Sequence, residues 1–163
     1  MTLAEAAAQA DGLAEEGKER ELADLRRQWD DELEAAARSQ DYRERAVAFR
    51  AISQFRFRQK MELLARGLDD ESPACRGSAV LSFERLSRDS PGIVNSIRRP
   101  LHELATHDGN EAVRRLAIMT LRNGSPQQDT IRILAALAED DEQSRELRDA
   151  AGKVAQALRR KGK

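Results

Sequence analysis

Asp70-Glu71-Ser72-Pro73-Ala74-Cys75-Arg76-Gly77-Ser78-Ala79-Val80-Leu81-Ser82-Phe83-Glu84-Arg85-Leu86 is the stretch that decides the reading of this chain. An acidic turn runs into Ser72, whose residue type accepts from an orphan amide at a helix start. Pro73 suits the first helical position, where no backbone donor is needed. Behind this start Ala79, Val80, Phe83 and Leu86 recur at three- and four-residue steps, so they share one face. The spacing predicts an amphipathic helix beginning at Pro73.

The same grammar returns along the chain. An arginine stands three residues before a small alanine at Arg45/Ala48, Arg76/Ala79, Arg114/Ala117 and Arg148/Ala151, and Ile52, Phe83, Leu121 and Ala155 follow at equal offset. The arginines are 31, 38 and 34 residues apart, the length of a two-helix repeat. A first helix precedes these second helices: Met61, Leu64 and Leu68 in 58–68, Ile93, Ile97, Leu101 and Leu104 in 90–107, and Ile131, Leu134 and Leu137 in 126–139. Ser125-Pro126-Gln127-Gln128 reads as a helix start with Ser as cap and Gln reaching back, and Gly124 as the end of the helix before it. Pro100 marks either a kink or the true start of its helix. Residues 54–58 hold neither Gly nor Pro, which leaves two readings, a turn or a continuous helix over 43–68.

The front of the chain differs. Residues 1–18 are rich in Ala and Glu, and Gly12 and Gly17 would each weaken a helix interior by about 1 kcal/mol, which predicts a flexible acidic arm. From Glu19 a stripe of Leu22, Leu25, Trp29, Leu33 and Ala36 or Ala37 defines a capping helix, with Trp29 as a packing anchor. The expected organisation is an arm over 1–18, one helical repeat domain over 19–158 and a basic tail over 159–163.

These residues resemble HEAT repeats, helical hairpins that stack into a curved solenoid. The resemblance rests on Asp41 with Arg45 and Ala48, Asp70 with Arg76 and Ala79, Asp108 with Val113, Arg114 and Ala117, and Asp141 with Leu147, Arg148 and Ala151, and covers about 20–158. It implies an all-α, right-handed α-solenoid of about three and a half hairpins. It also implies an Asp/Arg ladder between neighbouring repeats and a small residue that lets two helices approach. It says little about function, because such scaffolds host many activities.

Composition narrows the field. With 163 residues the chain is long enough to bury a core without staples, and 40% hydrophobic and 35% charged residues with four prolines fit an all-helical protein. The lone Cys75 forms no internal disulfide, and no apolar run reaches a membrane span, so a cytoplasmic protein with no membrane partner is expected. The net charge of −1 conceals an asymmetry: residues 1–40 carry eleven acidic and five basic side chains, leaving eighteen acidic and twenty-three basic for the rest.

No catalytic constellation, metal set or cofactor motif stands out, and a non-enzymatic role is expected. The metal-dependent hydroxylases that resemble HEAT proteins imply recurring His-Glu pairs, whereas this chain has one, His102-Glu103, too few for a metal site. His107 lies five positions on, about 500° around a helix from His102 and off its face. Cys75 beside Arg76 near a helix start has the placement of a reactive thiol, but with no partner histidine it reads as a small buried residue.

Two surfaces carry the binding expectations. The strip opposite the core face of the second helices holds Arg50, Leu81, Arg85, Leu116, Met119, Asn123 and Lys153, a concave groove for an acidic or amphipathic segment of a partner protein. The alternative is nucleic acid. Arg43, Arg45, Arg50, Arg56, Arg58 and Lys60 interleave with Phe49, Phe55 and Phe57, a pattern suited to phosphates and stacked bases.

Overall fold

The computed structural model describes all 163 residues and is all-helical. In chain order the helices are α1 (Leu3–Glu15), α2 (Glu19–Ala37), α3 (Tyr42–Gln54), α4 (Met61–Gly67), α5 (Pro73–Ser87), α6 (Pro91–Ser96), α7 (Arg98–His107), α8 (Glu111–Leu121), α9 (Gln128–Glu139) and α10 (Arg145–Lys161), with one 3-10 turn at Arg58–Lys60. No helix is long and apolar enough to cross a membrane. The chain divides into two compact units, Met1–Ser82 and Phe83–Lys163.

In the first unit the expected flexible arm is a helix. Thr2 Oγ1 accepts from the Glu5 amide while Glu5 returns a carboxylate to the Thr2 amide, a complete capping box. Leu3, Ala6, Ala7 and Ala10 are buried where α1 packs on α2 and α3. The two glycines do not prevent this helix. A Cβ at Gly12 would meet nothing within 4 Å, and Gly17, at φ +73°, is the left-handed residue that ends α1, its amide bonded to Ala14 O and that of Lys18 to Leu13 O.

The second boundary is built without glycine. Arg56 takes φ +57° after the α3 cap Phe55, with Arg56 N bonded to Ser53 O and Phe57 N to Ile52 O. This termination rules out the continuous helix over 43–68. Side chains hold the strained turn: Arg26 Nε donates to Phe55 O at 2.6 Å, and Arg56 Nη1 donates to Ser53 O and pairs with Asp11 at 3.0 Å. Past it, α4 and α5 meet closely, since a Cβ on Gly67 would lie 2.8 Å from Ala79 Cβ. Ser82 Oγ, one turn along α5, donates to Phe49 O of α3.

In the second unit Ile97 separates α6 from α7, so Pro100 lies in the first turn of α7, where its missing amide has no helical acceptor to lose. Helix α8 packs on α7 and on α10, and α9 on α10. The Ser125 capping box does not form. Helix α9 starts at Gln128, while Ser125 instead bonds Asn95, its amide to Oδ1 at 3.2 Å and its hydroxyl accepting from Nδ2 at 3.0 Å. Gly124 serves contact rather than capping: a Cβ there would lie 2.7 Å from Val94 Cγ1.

The predicted core phase holds in both units. Ala48, Ala79, Ala117 and Ala151 are each 0% exposed, and Ile52, Phe83, Leu121 and Ala155 are buried beside them. A fully buried side chain of Ile or Phe size contributes about 1.5–3 kcal/mol through removal from water, so these equivalent positions anchor each second helix. Trp29 is buried as the expected anchor, its Nε1 without an acceptor.

Candidate functional site

The turns ahead of the second helices share one construction. Ser39, Asp70, Asp108 and Asp140 each accept, through a side-chain oxygen, the amide two residues on. Arg45 Nη1 donates to the Ser39 and Gln40 carbonyls, and Arg76 Nη1 to those of Asp70 and Glu71, six and five residues back in both cases. Ser39, not Asp41, therefore occupies the turn position in the first case, and Asp41 caps α3. In the last turn Asp140 takes the position assigned to Asp141, which reaches Arg148 at 3.5 Å. The Arg45 guanidinium also binds Asp70, and that of Arg114 binds Gln143 Oε1 at 2.9 Å.

The groove residues divide between the units. Arg50 and Leu81 belong to the first, Arg50 exposed and Leu81 half-buried. In the second unit Leu116, Met119, Asn123 and Lys153 line one groove of 840 Å³ formed by α8, α10 and the last turns of α5, and Arg85, half-buried, is not among its lining residues. Met119 is 53% exposed and Leu116 half-buried, because the core face of α8 is occupied by Ala117 and Leu121 and turns these neighbours outward, and Lys153 on α10 is exposed. Asn123 is engaged within the fold, its Nδ2 donating to Glu84 O and Ser87 Oγ at the end of α5.

The charge of this groove differs from expectation. Arg88 is held by Glu84 at 2.9 Å, and Glu146 and Asp149 stand on the α10 wall with Lys153, so the surface carries both signs rather than a basic strip. Arg115, on the α8 wall, keeps a buried Nε with no acceptor.

The basic, aromatic-interleaved segment is differently disposed from its sequence reading. Phe49, Phe55 and Phe57 are 3%, 0% and 1% exposed, so none presents a face for a base. Arg43 pairs with Asp41, Arg45 with Asp70, Arg56 with Asp11, and Lys60 with Asp30 and Glu34. Lys60 is itself buried, 4.9 Å over the Phe57 ring. Burial works against its charge, but the two carboxylates outweigh that and raise its pKa; Lys60 in turn holds Glu34 below the usual carboxylate range.

The remaining chemical candidates lie apart. Cys75 is buried, burial pushes its thiol up, and Sγ donates to Tyr42 O at 3.2 Å, which describes an inert residue. His107 faces Glu103 in solvent, whereas His102 Nε2 lies 2.8 Å from Thr130 Oγ1. That hydroxyl also accepts from buried Arg98 at 2.8 Å, so Thr130 joins the ring and the guanidinium. Burial first, and then the nearby Arg98 charge, hold His102 below the usual histidine range. The Arg98 cluster escaped sequence reasoning because two of its partners, Ser125 and Thr130, are 27 and 32 residues away and no short motif marks them.

The chain matches no known family model, and no curated protein or solved structure matches it.

Proposed function

We propose that this is a non-enzymatic binding protein, built of HEAT-like hairpins in a right-handed α-solenoid, which captures a helical or extended segment of another protein in the groove between α8 and α10. The single observation that supports this reading most is Met119, 53% exposed beside half-buried Leu116 and flanked by charges of both signs. A flexible thioether with a neighbouring aliphatic wall suits an apolar anchor, and a charged rim orients it. An amphipathic segment with acidic and basic residues on either side of its apolar stripe fits better than a uniformly acidic one, because Arg115 and Lys153 are matched by Glu146 and Asp149.

The test is capture of interacting proteins by wild type and Met119→Asp. The side chain is exposed, so far-ultraviolet circular dichroism should be unchanged while capture falls at least tenfold, and equal capture by the two proteins would rule out this groove.

A further inference from the structure

A second pocket of 640 Å³ in the Phe83–Lys163 unit lies where α6 meets α7 and faces the start of α9. One of its walls is Arg98, only 8% exposed. Its guanidinium donates to Thr130 Oγ1, Asn95 Oδ1 and the Ser125 carbonyl, all uncharged, and its Nε has no acceptor. No carboxylate pairs with it. The contrast with Lys60, the other buried cation, is instructive: Lys60 has two carboxylates within 2.8 Å. A buried cation normally brings its counter-charge from the protein.

The surroundings are cationic as well. Arg99 stands exposed on the pocket wall with no ionic partner, and Arg132 lies across it, tied at 3.1 Å to Asp129, the pocket's one acidic group. Apart from His102, the pocket holds three guanidinium cations and one carboxylate, an excess of two. Its remaining polar groups, the side chains of Asn95, Ser96 and Gln127, are hydrogen-bonding types.

We propose that this pocket binds a phosphate group, with Arg98 as its buried counter-ion and Arg99 and Arg132 closing over it from the rim. A dianion matches the excess charge, and guanidinium groups match phosphate oxygens in pairwise hydrogen bonds. The dianion supplies what the buried guanidinium lacks, while the neutral acceptors around Arg98 hold its plane in place.

The experiment is titration of the full chain with inorganic phosphate and, separately, with glycerol phosphate, at fixed ionic strength balanced by chloride and read by calorimetry and thermal shift. Wild type should bind one equivalent saturably. Arg99→Ala and Arg132→Ala, both exposed and expected to fold, should each bind about tenfold more weakly, the worth of one charge-assisted contact. Arg98→Lys should lose binding more completely while circular dichroism reports on its fold. Tighter binding of glycerol phosphate assigns the group to an ester, and equal binding assigns it to the free ion; both support the site. Unsaturable binding, or affinity unchanged in both rim variants, would overturn the proposal as an adventitious ion only.

Discussion

Arg45 and Asp70 face one another in a two-point ion pair, Nε to Oδ2 at 2.9 Å and Nη2 to Oδ1 at 3.0 Å, joining the start of α3 to the turn ahead of α5. Both side chains are largely buried, 12% and 9% exposed. The pair is also tied to the backbone, for Arg45 Nη1 binds two turn carbonyls and Asp70 Oδ1 accepts the Ser72 amide. A planar fork is needed to do all of this at once. Burial pushes the Asp70 carboxyl up, but Arg45 and the Ser72 amide outweigh it and hold the group below its usual range.

Replacing Asp70 should therefore be worse than replacing both partners. Asp70→Asn leaves the Arg45 guanidinium without its counter-charge, and Arg45→Lys keeps a charge but loses the fork. Each should lower the melting temperature, and Arg45→Met with Asp70→Asn together should lose less than Arg45→Met alone and Asp70→Asn alone added. A double-mutant cycle by urea denaturation checks this, and strict additivity would contradict it. The sign with pH is equally definite. Because the folded carboxyl is depressed, its stabilising contribution is present above the usual aspartate range near 3.9 and is lost as pH falls through the folded value. The Asp70→Asn variant should thus have a flatter acid limb.

Two glycines should respond in opposite directions to the same substitution. At Gly124 the added Cβ would sit 2.7 Å from Val94 Cγ1 and 3.1 Å from Arg98 Nη2, and both neighbours are held in place. Overpacking of this kind costs about 1–3 kcal/mol, and Val94→Ala in the same chain should restore part of it. At Gly12, in the interior of α1 with nothing within 4 Å, alanine should stabilise by about 0.5–1 kcal/mol through helix propensity. Chemical denaturation of the two single variants reads both effects, and a stabilised Gly124→Ala would show that the α6 contact is looser than described.

The phase of the helices was legible in the sequence, and the reason is mechanical. Ala48, Ala79, Ala117 and Ala151 are all fully buried, and at Ala79 the need for a small residue is direct, since a Cβ on Gly67 of α4 would lie 2.8 Å from its own. The first helix carries local signals of its own. Thr2 and Glu5 stand at capping-box spacing, and Gly17 lies where the helix end needs a left-handed residue rather than inside α1. What local spacing does not carry is distant pairing. Arg98 meets Thr130 and Ser125, Arg45 meets Asp70, and Asn123 meets Ser87, none within one turn of sequence. For that reason the groove appeared basic when its charges were counted along single helices and proved mixed once Glu146 and Asp149 stood on its α10 wall.

Arg56 offers a test of backbone strain separated from side-chain loss. Arg56→Ala and Arg56→Gly both forfeit the contact with Asp11 and the bonds to the α3 carbonyls. They differ only in how they tolerate φ +57°. Glycine occupies that region without a Cβ clash, so Arg56→Gly should be the more stable by about 1 kcal/mol, the reverse of the usual order of the two residues in a helix. Equal urea midpoints for the two variants would contradict the left-handed turn.

His102 makes the last prediction, and its sign follows from what surrounds it. On its own helix Arg98 is the near charge, and from α9 Asp129 and Arg132 face the same pocket, so protonation would add a cation where positive charge already exceeds negative. The folded group is thus depressed relative to the unfolded chain, and the unfolded state binds more protons between the two values. Stability is then complete above the usual histidine value near 6.5 and declines as pH falls below it. His102→Gln keeps a hydrogen-bonding group near Thr130 without a titrating one, so from pH 7.5 to 5.5 wild type should lose more stability in urea denaturation than this variant. Equal losses, or an imidazole titration of His102 centred at or above the usual value, would show that the ring is free to protonate where it stands.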